Sequence, residues 1–499
     1  MICSFRQLLP LTAGLLFAHA ANAQYTTPGS GQAYTLSDLV AVSGGVITAN
    51  SATSYQQTAD FTLAANDTLV IDSNLDWAVD PSASISIFGT FSATPPYQAT
   101  ITASDSTQFH GGIRFEDGSS IHLDHMIISY GGGIKSLTND LVLSYCFISN
   151  QVTNATTGAA LELSDGKVYL DHVTFSANES AAISSAANGE AAPQITHCNF
   201  YQNGYANTNR PQINLGPSGA DTTVIRNCTV LGDPANTMVG GIAFSSLVGG
   251  PGHVIIDSNI VNINRYGIAL IGNNITGLIT NNTVADNNTQ NNPAQGGSGI
   301  NLYGGSTNVS VVSGNKISGN LWGITLQSAV TTNLGDTAAA NYNPGGNSFA
   351  NNGNGGVTYA LYNNTPNPVP AMNNCWDFMN PPTDSTLVAA VVFDVADDGT
   401  LGEVFFMPFS NCGIVTAIGE TPASEAVAVF PNPSNGQVTV HSTVSIDNLS
   451  LFNAKGQLVR TQRGPVQGPW SLGDLETGLY LLKATTPAGV EYIQRIVVE

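Results

Sequence analysis

Apolar residues recur along the middle of the chain in short bursts, never in long runs. One burst reads small, apolar, variable, apolar. Examples are Gly112-Ile113-Arg114-Phe115, Ala160-Leu161-Glu162-Leu163, Gly241-Ile242-Ala243-Phe244, Gly267-Ile268-Ala269-Leu270, Gly299-Ile300-Asn301-Leu302 and Gly323-Ile324-Thr325-Leu326. The leading apolar residues fall at 113, 134, 161, 183, 213, 242, 268, 300, 324 and 357, a mean spacing of about 27. Alternation over three or four residues predicts half-buried strands. A period in the twenties with Gly and Asn between strands predicts a solenoid of stacked coils. About ten coils at strand spacing would make a rod roughly 50 Å long.

A second burst lies between these leads. An apolar residue (Leu123, Leu143, Leu170, Ile195, Ile225, Ile256, Ile279, Val312) is followed three residues later by Met126, Cys146, Val173, Cys198, Cys228, Asn259, Asn282 and Asn315. This column suits a sharp turn between two sheets. An inward Asn there can hydrogen-bond the Asn of the next coil, since a buried amide must be paired. Cys, Val or Met fills the same slot without polar demand. Cys198 and Cys228 are expected on neighbouring coils as free buried thiols, because aligned parallel strands suit disulfide geometry poorly.

The pattern resembles the right-handed parallel β-helix, the pectate-lyase-like fold, over about residues 67–380. The hand belongs to the resemblance and is not contained in the period. The fold class expected is therefore all-β: a parallel β-helix followed by a small antiparallel β-sandwich.

The two ends differ from the middle. Arg6, the apolar run through Leu15-Leu16-Phe17 and Ala21-Asn22-Ala23 read as a secretory signal over 1–23, too short to span a bilayer. Residues 24–66 are expected to cap the open N-terminal end of the core, and 381–412 to close the other end of a solenoid spanning 67–412. After a linker at 413–424, residues 425–499 alternate as strands. They open with Phe430-Pro431-Asn432-Pro433-Ser434-Asn435-Gly436 and turn at Asn453-Ala454-Lys455-Gly456-Gln457. They continue through Gly478-Leu479-Tyr480-Leu481-Leu482-Lys483 and end in Arg495-Ile496-Val497-Val498. These pieces resemble the C-terminal sorting domain of type IX secretion in Bacteroidetes. The resemblance implies the type IX machinery as a partner, passage across the outer membrane, and a place at the cell surface or outside the cell. It says nothing about the cargo.

Composition narrows the partners. The 499 residues contain 13 Lys+Arg against 34 Asp+Glu, a formal charge of −21. Nucleic acid is disfavoured, because phosphate binding needs clustered cations. No stretch is apolar for long enough to form a transmembrane segment. Loss of Cys3 with the signal would leave five of the six cysteines. Cys375 and Cys412 bracket the closing segment, and an oxidising export route permits a disulfide between them. The absence of any C-x-x-C gives a structural zinc site no support.

Three constellations could carry chemistry. The outward residues of the first burst are Arg114, Lys135, Glu162, Ser184, Asn214, Ala243, Ala269, Asn301, Thr325 and Thr358. Arg114, Lys135 and Glu162, with Glu116 beside them, form a mixed-charge cluster on consecutive coils. A polysaccharide lyase needs a cation for the substrate carboxylate and a base for its α-proton, roles open to Arg114 and Lys135. The other reading of the cluster is a ladder of ion pairs on a solvated face. The residue before the inward column reads His125, Tyr145, His172, His197, Asn227, Ser258, Asn281, Gly314, which places His172 beside His197. A transition-metal site would need those ligands to converge; the alternative is exposed imidazoles stacked at a turn. Asp394, Asp397 and Asp398 offer oxygen ligands to Ca²⁺ without EF-hand spacing; otherwise they form an acidic turn. Ca²⁺ is thus an open reading, and no cofactor is certain.

The pectin-hydrolase motifs do not occur as a set, and Arg210-Pro211 does not extend into the pectate-lyase Arg-x-Pro-x-x-Arg signature. Turns at 203–211, 232–240 and 286–298 are expected on one side of the rod, where they could grip a glycan or a protein. Two functional readings follow. One is a displayed β-helix that binds glycans or surfaces without catalysis. The alternative is a polysaccharide-active enzyme, a lyase sooner than a hydrolase.

Overall fold

The computed structural model describes residues 24–154, 157–412, 427–442, 444–453, 458–466, 470–487 and 491–498. The expected signal at 1–23, the linker at 413–424 and the turn at 454–457 lie outside them. The chain divides into two compact units, 1–413 and 414–499.

The first unit is a parallel β-helix. Three long sheets run side by side along it, with 14, 12 and 13 strands, and all but one of their strand pairs are parallel. Sheet 1 contains Gly112–Phe115, Ile134–Ser136, Ala159–Gly166 and Ala181–Ala191. Sheet 2 contains Ser120–Asp124 and Asp140–Ser144, and sheet 3 contains Met126–Ser129 and Phe147–Ser149. Each coil thus visits sheet 1, sheet 2 and sheet 3 before stacking on the next.

The register shows why these short strands persist. Ile113, Ile134, Leu161, Ile183, Ile213, Ile242, Ile268, Ile300 and Ile324 pair in sequence along sheet 1, each buried almost completely. Burying such side chains contributes about 1.5–3 kcal/mol each. Phe175 stacks on Phe200 at 5.3 Å in the same interior.

The pattern departs from expectation in three places. Sheet 2 holds twelve strands, so the stack exceeds the ten coils expected. The extra coils precede Gly112, where the leads Phe61 and Ile85 follow Asp60 and Ser84 instead of a glycine or alanine. Residues 24–66, expected as a cap, supply strands Tyr25–Thr26, Ala33–Tyr34, Ser54–Gln57 and Phe61–Leu63 to the sheets. The capping element within them is helix α1 (Leu36–Val42), which begins with a capping box between Thr35 and Asp38 and buries Leu36 and Leu39. Finally, Leu361 and Tyr362, not Val357 and Thr358, pair with Ile324 and Thr325. Val357–Thr358 instead forms a small antiparallel pair with Gly353–Asn354.

At the C-terminal end lies helix α2 (Ser385–Ala389), capped by Asp384. Cys375 and Cys412 are joined by a disulfide there. Cys146, Cys198 and Cys228 are free and buried.

The second unit is a two-sheet antiparallel sandwich. One sheet has three strands and the other four. Val427, Val438 and Val440 share a core with Leu449, Leu451, Leu482 and Ile496.

Candidate functional site

The outer face of sheet 1 carries the charged residues singled out from the sequence. Arg114, Lys135 and Glu162 stand in register on neighbouring strands. Their charges are already matched. Arg114 Nε donates to Glu116 Oε1 at 2.8 Å and Nη2 to Oε2 at 3.3 Å. Lys135 Nζ pairs with Glu162 Oε1, and Glu162 Oε2 accepts from the Gly158 N–H at 2.7 Å. A second mixed-charge contact, Arg226 with Asp257 at 3.0 Å, lies on sheet 2.

Along this face Ser184, Ala243, Ala269 and Thr325 are buried, although expected to point to solvent. The open part is therefore a groove of about 420 Å³ lined by Glu162, Ser184, Asn214, Ser245, Leu247 and Arg210, among others. Arg210 was unassigned in the sequence because its Arg-Pro pair began no motif. The fold returns it to the face from the turn before Ile213–Leu215, where its guanidinium and the Glu162 carboxylate both approach Gly158. Among the described residues, the side chains of Arg210, Ser184 and Asn214 make no hydrogen bond or ion pair. Open donors and acceptors along a concave surface can hold hydroxyls and carboxylates of a ligand.

The turns expected at 203–211, 232–240 and 286–298 are tied into one block. Arg265, 8% exposed, donates from Nε to Gln290 Oε1 at 2.7 Å and from Nη2 to the Gln295 carbonyl at 2.6 Å, and its Nη1 contacts Asn209 Oδ1. Met238 N–H donates to Asn207 Oδ1 at 2.8 Å, linking the middle turn. A buried cation held by neutral acceptors is costly to disturb. It fixes the wall from which Arg210 projects.

The turn between sheets 2 and 3 forms a second constellation. His125, Tyr145, His172 and His197 all have φ between 50° and 54°, the left-handed region. Their rings stack at 5.1, 4.8 and 4.8 Å, the spacing of the strands beneath them. Asp171 lies beneath two of them. Its oxygens are 2.9 Å from His172 Nδ1 and 2.9 Å from His197 Nδ1, and accept from Thr196 Oγ1 at 2.6 Å. Partial burial works to raise the Asp171 pKa, but the hydrogen bonds from Thr196, His197 and His172 outweigh it and hold the carboxyl below its ordinary range. The sequence placed the two histidines together; it did not show that one carboxylate serves both.

Asp394, Asp397 and Asp398 use their oxygens on their own loop. Asp394 accepts from Ala396 N at 2.9 Å and Val404 N at 2.9 Å, Asp397 from Asp394 N at 3.1 Å, and Asp398 from Thr400 N at 3.0 Å. Among the described residues, the one gathering of three metal-ligand side chains is Asp171, His172 and His197.

Residues 428–499 match the family of the secretion system C-terminal sorting domain. No curated protein matches the chain. The tail is of the type IX secretion kind: it directs the protein to the cell surface or the extracellular space and implies contact with that machinery. No described helix is long and apolar enough to cross a membrane.

Proposed function

We propose that this protein is a surface-displayed or released β-helix that binds acidic glycans in the groove on sheet 1, without catalysis. The supporting observation is the unpaired Arg210 guanidinium beside Asn214 in an open concavity. In a chain of charge −21, a cation held by a rigid wall and left unmatched is a natural seat for a uronate carboxylate or a sulfate. Asn214 would meet a sugar hydroxyl. The lyase alternative asks Arg114 and Lys135 to act as neutraliser and base, and both are engaged by Glu116 and Glu162. Those pairs favour a scaffold role for the cluster.

The test is retention of the purified full chain on arrays of neutral, uronic-acid and sulfated polysaccharides, with absorbance of unsaturated products followed in parallel. Binding to acidic glycans is expected, weakened at least tenfold in Arg210→Ala and less in Arg210→Lys. Equal binding by Arg210→Ala, or none across the array, would sink the proposal. Unsaturated products lost in Lys135→Ala would replace it with the lyase reading.

A further inference from the structure

The ring column between sheets 2 and 3 lies apart from the groove and has no part in the glycan reading. We infer that Asp171, His172 and His197 form a surface site for a divalent transition-metal ion of the Zn²⁺ or Cu²⁺ class. The ligands would be one Asp171 oxygen and Nδ1 of each imidazole.

The geometry and the ligand chemistry carry this. The three ligand atoms lie within 4.8 Å of one another. A carboxylate can only accept, so each Nδ1 now carries a proton directed at Asp171, at the position an ion would occupy. An ion there displaces each Nδ1 proton, which a neutral imidazole takes up again on Nε2 by exchange with solvent, so both ligands bind as neutral rings with Nε2–H. Two imidazoles and a carboxylate are a ligand set suited to zinc and copper, and three protein ligands leave open positions for water.

The carboxylate is also oriented from outside the set. Thr196 Oγ1 donates to it at 2.6 Å; Asn227 Nδ2 lies 3.2 Å from His197 Nε2, and its amide would turn to accept from Nε2–H in the metal-bound form. Such outer contacts orient ligands in metal sites. The site is accessible: the side chains of His172, His197 and Asp171 are 33%, 48% and 43% exposed. Ligands at about 2.1 Å from an ion stand about 3.4 Å apart in tetrahedral geometry and about 4.2 Å when opposed, so the ligand atoms must close by roughly 0.6–1.4 Å through rotation of these partly exposed side chains.

The test uses the full chain, stripped of metal and without a histidine tag, titrated separately with Zn²⁺ and Cu²⁺ by calorimetry. One ion per chain is expected, with the Cu²⁺ form showing two nitrogen couplings in its electron paramagnetic resonance spectrum. His172→Ala, His197→Ala and the near-isosteric Asp171→Asn should each weaken binding at least tenfold. His253→Ala, on a strand away from the column, should leave it unchanged. Circular dichroism checks that the variants are folded, and Asp171→Asn keeps the test open should an alanine variant unfold. No saturable binding below millimolar metal, or binding indifferent to Asp171→Asn, would overturn the inference.

Discussion

His110 shows how one coil residue makes stability depend on pH. It is 2% exposed, its Nδ1 accepts from the Gly112 N–H at 3.1 Å, and its ring fills the space a Gly131 side chain would need. Burial pushes its pKa down to about 4, with the nearby Ser129 backbone carbonyl only partly opposing. In the unfolded chain the imidazole takes up its proton near 6.5. Between those values the unfolded state binds more protons, so stability is full above pH 6.5 and falls as the pH drops toward 4. The loss amounts to about 3 kcal/mol at most. Urea unfolding at pH 7 and pH 4.5 should show it, and His110→Gln should flatten the difference. An unchanged pH dependence in the variant would assign the effect to carboxylates. At this scale the sequence was partly legible. Asn259, Asn282 and Asn315 read as a ladder, and they bond in series at 2.9 Å per step on to Asn347 and Asn374. A second ladder, through Asn264, Asn287, Asn320 and Asn352, went unread. On earlier coils Gln151, Asn178, Asn203 and Gln212 continue it with mixed residue types, which hides the column.

At the scale of the coil, the small residue before each lead has a steric cause. A Cβ on Gly241, Gly267, Gly299 or Gly323 would lie 2.3–2.8 Å from a carbonyl oxygen of the next coil. Neighbouring backbones meet there at strand spacing, so the repeat needs glycine at these four positions, although Asp60, Ser84 and Gln212 precede the lead on other coils. That is why this burst was legible. The lead of the last full coil was misplaced because Gly355-Gly356-Val357 imitates it; the chain makes a hairpin first and enters sheet 1 four residues later. Gly267→Ala puts a methyl 2.4 Å from the Gly299 carbonyl, where only backbone can give way. Overpacking of this kind costs about 1–3 kcal/mol. The expected outcome is a lower urea midpoint and faster amide exchange on the coils around 242, 268 and 300. Gly399, whose Cβ would meet nothing within 4 Å, is the control, and Gly399→Ala should stay within about 0.5 kcal/mol. Equal effects of the two would mean that the glycine column does not set the coil approach.

For the whole molecule, the core of the β-helix and the core of the tail share no residue. The β-helix is closed at one end by α1 and at the other by α2 and the Cys375–Cys412 disulfide, so its apolar interior needs no cover from the sandwich. This explains why the organisation was legible while the candidate sites were not. Periodicity and the tail motifs lie along the chain, whereas the groove joins Arg210 to Glu162 across coils and Asp171 meets His197 one coil on. A chain ending at Cys412 should therefore fold with the thermal midpoint of the β-helix in the full protein, but should fail to reach the surface. Cell fractionation with external protease would place the full chain outside and the shortened chain within the envelope, while circular dichroism melts compare their stability. A shortened chain that still reached the surface would mean that the β-helix carries its own address. One that lost its β signal several degrees early would mean that the tail supports the fold, against the separation of the two cores.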